Sequence, residues 1–191
     1  MKQTITNREE WLNLALVEIR ARFKDIGVEV PADARVSCGF PGGGSARKRV
    51  GECWPRALSS IGVNELFVSP VVRDQHQMID ILVHECVHAA DDCKSGHKGF
   101  FRKTAKAIGL EGKMTSTHAG PELSAWIKAT IEKLPVLEYG SLSLAGRTKK
   151  ATYMLKLECD GCGMIVRTTQ QWLDNVGCPT CACGGSFGEA G

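Results

Sequence analysis

The sequence predicts a mixed α+β protein in two modules: a larger domain over residues 1–139, a linker over 140–152, and a small metal-stabilised module over 153–191. Three observations carry this reading. Short runs rich in β-branched and aromatic residues, bounded by Pro and Gly, recur between residues 27 and 69. Four segments repeat apolar residues at three- and four-residue steps, as helices do. Two C-x-x-C units, Cys159/Cys162 and Cys178/Cys181, then bracket the C-terminal stretch.

Taken in order, Thr6-Asn7-Arg8-Glu9 matches a capping box, and Trp11, Leu12, Ala15, Leu16, Ile19 and Phe23 line one helical face up to about Asp25. Strands are expected at Gly27 to Val30, Ala34 to Cys38, Arg49 to Trp54 and Glu65 to Ser69, making a sheet of about three strands. Between the second and third lies PGGGSARKR, whose Arg47, Lys48 and Arg49 could grip a phosphate backbone or simply face water. Either Arg49 to Trp54 or Glu65 to Ser69 could pair with an extended peptide at a sheet edge beside the metal-site helix. Asp74 with Gln77 caps the next helix. A helix over Lys98 to Gly109 is expected to turn Phe100, Phe101, Ala105 and Ile108 inward and Lys98, Arg102, Lys103 and Lys106 outward. Pro121 opens a last helix carrying Leu123, Trp126, Ile127, Thr130, Ile131 and Leu134, closed by Pro135. Tyr153 to Glu158 and Met164 to Thr169 read as strands of the second module.

The chemistry is concentrated in the segment IDILVHECVHAADDCKSGH, residues 79–97. His84, Glu85 and His88 form H-E-x-x-H on a helix. One turn between the histidines stacks both imidazoles on one face, so both can reach a single Zn2+, and Glu85 falls beside them as a general base for an attacking water. A third ligand must come from elsewhere. His97 is the candidate, because Asp91 to Gly96 break the apolar pattern and let the chain turn back; a glutamate from a later segment (Glu111, Glu122 or Glu132) is the alternative. The metzincin extension is excluded, since it needs glycine at 91 and histidine at 94, where Asp91 and Lys94 stand. His118, in the polar loop TSTHAG, is a further candidate as an oxyanion stabiliser.

In the second module, the fifteen residues between Cys162 and Cys178 fit the spacing of a four-thiolate zinc site made by Cys159, Cys162, Cys178 and Cys181, with Cys183 able to replace Cys181. Such a closed tetrahedron is structural and supplies the folding energy of a module too small for its own core. Two zinc ions per chain are therefore expected. Cys38, Cys53, Cys86 and Cys93 are expected as free thiols.

Composition is that of a globular chain, with 43% apolar and 24% charged residues among 191. The start MKQTITNREEW has no apolar leader and no window reaches eighteen uninterrupted apolar residues, so a cytoplasmic location without membrane contact is expected. A net charge of +3 neither requires nor excludes DNA. Nothing in the sequence calls for an oligomer, and a monomer is expected.

HECVHAADDCKSGHKGFFRKTAKAIGLEGKM, with its H-E-x-x-H, the Gly96-His97 pair and the aromatic, basic helix that follows, resembles the core of SprT-like zinc metallopeptidases, the SprT/Spartan family. GECWPRALSSIGVNELFVSPVV is similar to the strands that precede that motif, and a C-terminal zinc ribbon is a further family habit. The likeness spans most of 36–115 and, more loosely, 153–185. It departs after the third histidine, where many members have Gly-Pro and this chain has Lys98-Gly99. It implies a minimal zincin-like protease domain with a small sheet and an active-site helix, followed by the ribbon, with His84, His88 and His97 on zinc and DNA-bound proteins as substrates. The opposing expectation is a nucleic-acid-binding or transcription-associated protein in which the ribbon works and the zincin domain is an inactive scaffold.

Overall fold

The computed structural model describes residues 2–42, 49–145 and 154–189; Arg47, Lys48 and Tyr153 lie outside them. The chain divides into two compact units, Met1–Leu144 and Ala145–Gly191. Both mix helices with small sheets.

The first unit begins with β1 (Thr4–Ile5) and α1 (Arg8–Asp25). The cap of α1 is Asn7, one residue later than the Thr6 expectation: its side chain accepts from Glu9 N and Glu10 N, which an amide oxygen at this position reaches without help from Glu9. Gly27 to Val30 is not a strand, because Ile26, Gly27 and Val28 donate back to the last carbonyls of α1 and close the helix. The three expected strands follow as β2 (Arg35–Cys38), β3 (Gly51–Trp54) and β4 (Glu65–Val68). They form one sheet in the order β2-β4-β3, with β4 parallel to β2 and antiparallel to β3, so among the described residues one edge of β3 has no strand beside it.

Against this sheet packs α2 (Gln75–Ala90), capped by Asp74, whose carboxylate accepts from Gln77 N at 2.8 Å. Nine of its residues are buried, including Met78, Ile79, Leu82, Cys86 and Val87, which is why this helix sits at the centre of the core. Next come α3 (Gly99–Ile108), a hairpin of β5 (Leu110–Lys113) and β6 (Ser116–Ala119), α4 (Pro121–Lys133) and β7 (Val136–Leu137), which pairs in parallel with β1. Phe101, Ala105 and Ile108 face inward on α3 as expected, but Phe100 does not: at 38% exposure it stands on the solvent side, because the buried stripe of α3 is only Phe101, Thr104, Ala105 and Ile108. Arg8 is buried at the other end of the unit. Its guanidinium donates to the Ser69 and Val72 carbonyls at 3.2 and 3.1 Å and lies over the Tyr139 ring, tying α1 to the segment after β4.

The second unit carries β8 (Met154–Cys159), β9 (Ile165–Thr169), α5 (Gln170–Val176) and β10 (Phe187–Glu189), with an antiparallel sheet in the order β10-β8-β9. Its buried apolar residues are few, Leu157 and Cys159 among them. No helix of the described residues is long and apolar enough to cross a membrane.

Candidate metal and catalytic site

Three imidazoles from two elements converge in the first unit. His84 and His88 project from one face of α2, their ring centroids 5.2 Å apart, and His97 arrives from the turn after the helix to stand 4.7 Å from His88 and 5.5 Å from His84. His88 Nε2 and His97 Nε2 are 3.2 Å apart, and the three rings' ligand atoms all lie within 4.8 Å of one another. Phe101, from α3, packs against all three rings at 4.3–5.0 Å and supplies an apolar backing. None of Glu111, Glu122 or Glu132 joins this cluster. Glu111 lies on β5 opposite His118, Glu122 pairs with Arg22 at 2.7 Å, and Glu132 is exposed.

The turn that delivers His97 is pinned at several points. Cys93 N and Asp92 N return to the His88 and Ala89 carbonyls, and Ser95 N donates to Asp91. Asp92 Oδ1 accepts from Arg56 N at 2.8 Å and from the fully buried Asn64 Nδ2 at 3.0 Å, and the Arg56 amide holds the Asp92 carboxyl below its ordinary range. Gly96, at φ +52, makes the final reversal that an L side chain disfavours.

Glu85 sits beside the cluster, 6% exposed, and burial pushes its carboxyl up to about 8. It is covered by the backbone of β3: a Cβ on Gly51 would stand 2.5 Å from Glu85 Oε1 and 2.5 Å from Ile81 Cγ2, so only glycine lets the strand approach this closely. The three imidazoles are held neutral by the same environment, with burial driving His84 down to about 3 and His88 to about 4, and lowering His97. A cluster of neutral imidazoles around a shared point is the protonation state that a metal ion needs.

A cleft of about 630 Å³ opens onto these residues. The edge strand β3 with Arg49 and Val50 forms one wall, Thr115 to Thr117 of the β5–β6 hairpin form the other, and Asp80, Ile81, His84, Glu85 and His88 of α2 form the floor. The hairpin was not expected from the sequence, and it contributes a residue that sequence reading missed. Thr117 Oγ1 lies 2.7 Å from His84 Nδ1, which occupies that nitrogen and leaves Nε2 for an ion. His118, expected in a loop, is a strand residue of β6 one position further along. Asp80, on α2, faces the Ala119 backbone of β6, and burial raises its carboxyl to about 6.

The basic candidates divide. Arg49 is exposed and forms an ion pair with Glu52. Lys98, Arg102, Lys103 and Lys106 are all exposed, as expected for the outer face of α3.

In the second unit the cysteine cluster is Cys159, Cys162, Cys181 and Cys183, which corrects the expected set: Cys183 takes the place of Cys178. Neighbouring sulfurs are 3.4–3.5 Å apart across Cys159/Cys183, Cys162/Cys181 and Cys181/Cys183, far beyond the roughly 2.05 Å of a disulfide. The reason is α5. It takes up residues 170–176 and ends at Gly177, leaving the Cys178 sulfur 3.5 Å from the Phe187 carbonyl and outside the cluster. The second knuckle is instead Cys181-Ala182-Cys183-Gly184, which mirrors the first: Gly163 N returns to the Cys159 carbonyl and Gly184 N to the Cys181 carbonyl, both glycines at positive φ. The Cys-Gly that ends each knuckle was the available signal. Backbone N–H groups of Cys162 and Gly161 hold the Cys159 thiol down to about 7, favouring thiolate.

Both clusters, three histidines and four cysteines, could hold a metal ion. No protein family, curated protein or solved structure matches the chain.

Proposed function

We propose that the chain is a zinc-dependent metallopeptidase of the SprT-like kind, with a zincin-like catalytic domain and a structural zinc ribbon. The observation that carries the reading is the convergence of His84, His88 and His97 at the floor of an open cleft with Glu85 beside them. The donor sets suit zinc. Two nitrogens at 2.0–2.1 Å from one tetrahedral ion stand about 3.3 Å apart, close to the 3.2 Å between His88 and His97. Four thiolates at about 2.3 Å from one ion stand about 3.8 Å apart, near the observed 3.4–3.5 Å.

Bound zinc would polarise the scissile carbonyl and lower the pKa of the attacking water. The chain supplies the rest. Glu85, kept out of bulk water by Gly51 and Ile81, becomes the carboxylate in the field of a divalent cation, takes the water's proton and passes it to the leaving amine. Thr117 orients His84, and Phe101 keeps water off the far side of the rings. The edge of β3 that no strand covers among the described residues offers backbone groups to an extended substrate, which the open cleft can admit. An association with DNA-bound substrates is supported by the exposed Lys98, Arg102, Lys103 and Lys106 and by the sequence likeness to the SprT/Spartan family.

The deciding experiment is Glu85→Gln, assayed on a disordered lysine-rich protein with and without single-stranded DNA. It is expected to retain two zinc ions and to lose several orders of magnitude in kcat, whereas His97→Ala loses one zinc and activity together. Cleavage by Glu85→Gln at the parent rate, with DNA binding abolished by ribbon variants, would move the assignment to a nucleic-acid-binding protein with an inactive scaffold.

A further inference from the structure

The strand that walls the cleft and the turn that leads to His97 meet at two sulfurs. Cys53, on β3, and Cys93, in the turn, place their Sγ atoms 3.4 Å apart, and Cys93 Sγ lies 3.6 Å from the Cys53 carbonyl. Both are half-buried, and neither belongs to either candidate metal cluster. Cys86, by contrast, is fully enclosed in the core.

The placement is imposed by the fold. Asp92 and Cys93 are the two non-glycine residues among those described that adopt positive φ, at 56° and 60°. L residues avoid that region, and it persists here because Asp92 is clamped by Arg56 and Asn64 while Cys93 N is held by the His88 carbonyl at 2.8 Å. The disfavoured turn is what aims the Cys93 side chain at β3.

We propose that Cys53 and Cys93 are a redox-modification site, a dithiol that a hydroperoxide converts into a disulfide joining β3 to the turn between His88 and His97. Closing 3.4 Å to the roughly 2.05 Å of an S–S bond asks for little more than about 1 Å of movement shared by two side chains. Cys93 Sγ donates to Cys53 Sγ, so whichever sulfur the peroxide oxidises first has the other in contact to resolve it; with Cys93 first, the steps balance. Cys93 thiolate attacks the peroxide: an S–O bond forms, the O–O bond breaks, and the alcohol or water leaves with a proton as Cys93 becomes a sulfenic acid. Cys53 sulfur then attacks Cys93 sulfur, the S–S bond forms, the S–O bond breaks, and water leaves. Two thiols lose two electrons and the peroxide gains them.

The test treats the zinc-loaded full chain with one equivalent of hydrogen peroxide, followed by alkylation and peptide mapping. The expected product links the Cys53 and Cys93 peptides, reverts with dithiothreitol, and unfolds at a temperature higher by roughly 10 °C, because the bond closes a loop spanning 40 positions. Cys93→Ser should give neither link nor shift, and Cys53→Ser should leave a sulfenic acid on Cys93 that dimedone traps. Separate alkylation of Cys53 and Cys93 after peroxide, oxidation of the ribbon sulfurs ahead of this pair, or a linked chain with an unchanged unfolding temperature would each overturn the assignment.

Discussion

Gly51→Ala tests whether the approach of β3 to α2 sets the position of Glu85, the proposed general base. A methyl group there would stand 2.5 Å from both Glu85 Oε1 and Ile81 Cγ2, short of ordinary contact by about 1 Å. Neither neighbour can yield freely, since Ile81 and Glu85 are both buried on α2. Either the strand lifts or the carboxylate swings. Overpacking of this size costs about 1–3 kcal/mol, which in a unit of this length lowers the unfolding temperature by roughly 3–10 °C. A catalytic group displaced by about 1 Å loses about 100-fold in rate. The assay is kcat/KM on the disordered lysine-rich protein, well below the unfolding temperature so that the folded fraction is constant, with differential scanning calorimetry alongside. Gly140→Ala is the control, as a Cβ there meets nothing within 4 Å. Parent-level kcat/KM and an unchanged unfolding temperature in Gly51→Ala would refute the close-approach argument.

Three further outcomes are expected. Cys183→Ser should release one of two zinc ions and unfold the second unit, while Cys178→Ser keeps both ions; elemental analysis with amide exchange over 154–189 reads the difference. Thr117→Val frees His84 Nδ1 and should weaken zinc at the histidine site about 10–100-fold by chelator competition, leaving the ribbon ion in place. In metal-free protein, Glu85 binds its proton up to about pH 8 when folded and only to about 4.5 when unfolded, so the native state holds the extra proton between those values and stability falls as pH rises through them. Glu85→Gln should remove that slope, a difference on the order of 3 kcal/mol between pH 5 and pH 8 in urea unfolding.

The four helices of the first unit were legible because their apolar residues repeat at helical spacing, and that spacing put His84 and His88 on one face; His97 was only a candidate from the turn that follows, with a later glutamate as its alternative. The three-stranded sheet was legible from its bounded β-branched runs, but its parallel and antiparallel pairings were not, since register is settled by what packs above the sheet. The β5–β6 hairpin left almost no pattern: Glu111 to Lys113 are exposed, and β6 alternates only between exposed and half-buried residues. It forms because Ala119 meets Asp80 and Thr117 meets His84, contacts between segments distant in sequence, and so the residue that orients a candidate ligand was hidden. The choice of Cys183 over Cys178 was obscured by a similar cause, a short helix of mostly polar residues whose length decides which cysteine can come round to the metal. Phe100 misled because two adjacent phenylalanines cannot share the narrow buried face of α3.

The parallel pairing of β1 with β7 has a bearing on how the first unit comes into being. Thr4 and Ile5 register with Val136 and Leu137, and Trp11 Nε1 donates to the Pro135 carbonyl at 3.1 Å, so α1 is anchored by residues that leave the ribosome late among those of this unit. Contacts of such sequence separation close slowly and only once both partners are present. During synthesis the histidine-bearing helix emerges while α1 still lacks its closing strand, and a nascent chain halted before Pro135 should hold the three histidines without the frame that steadies them.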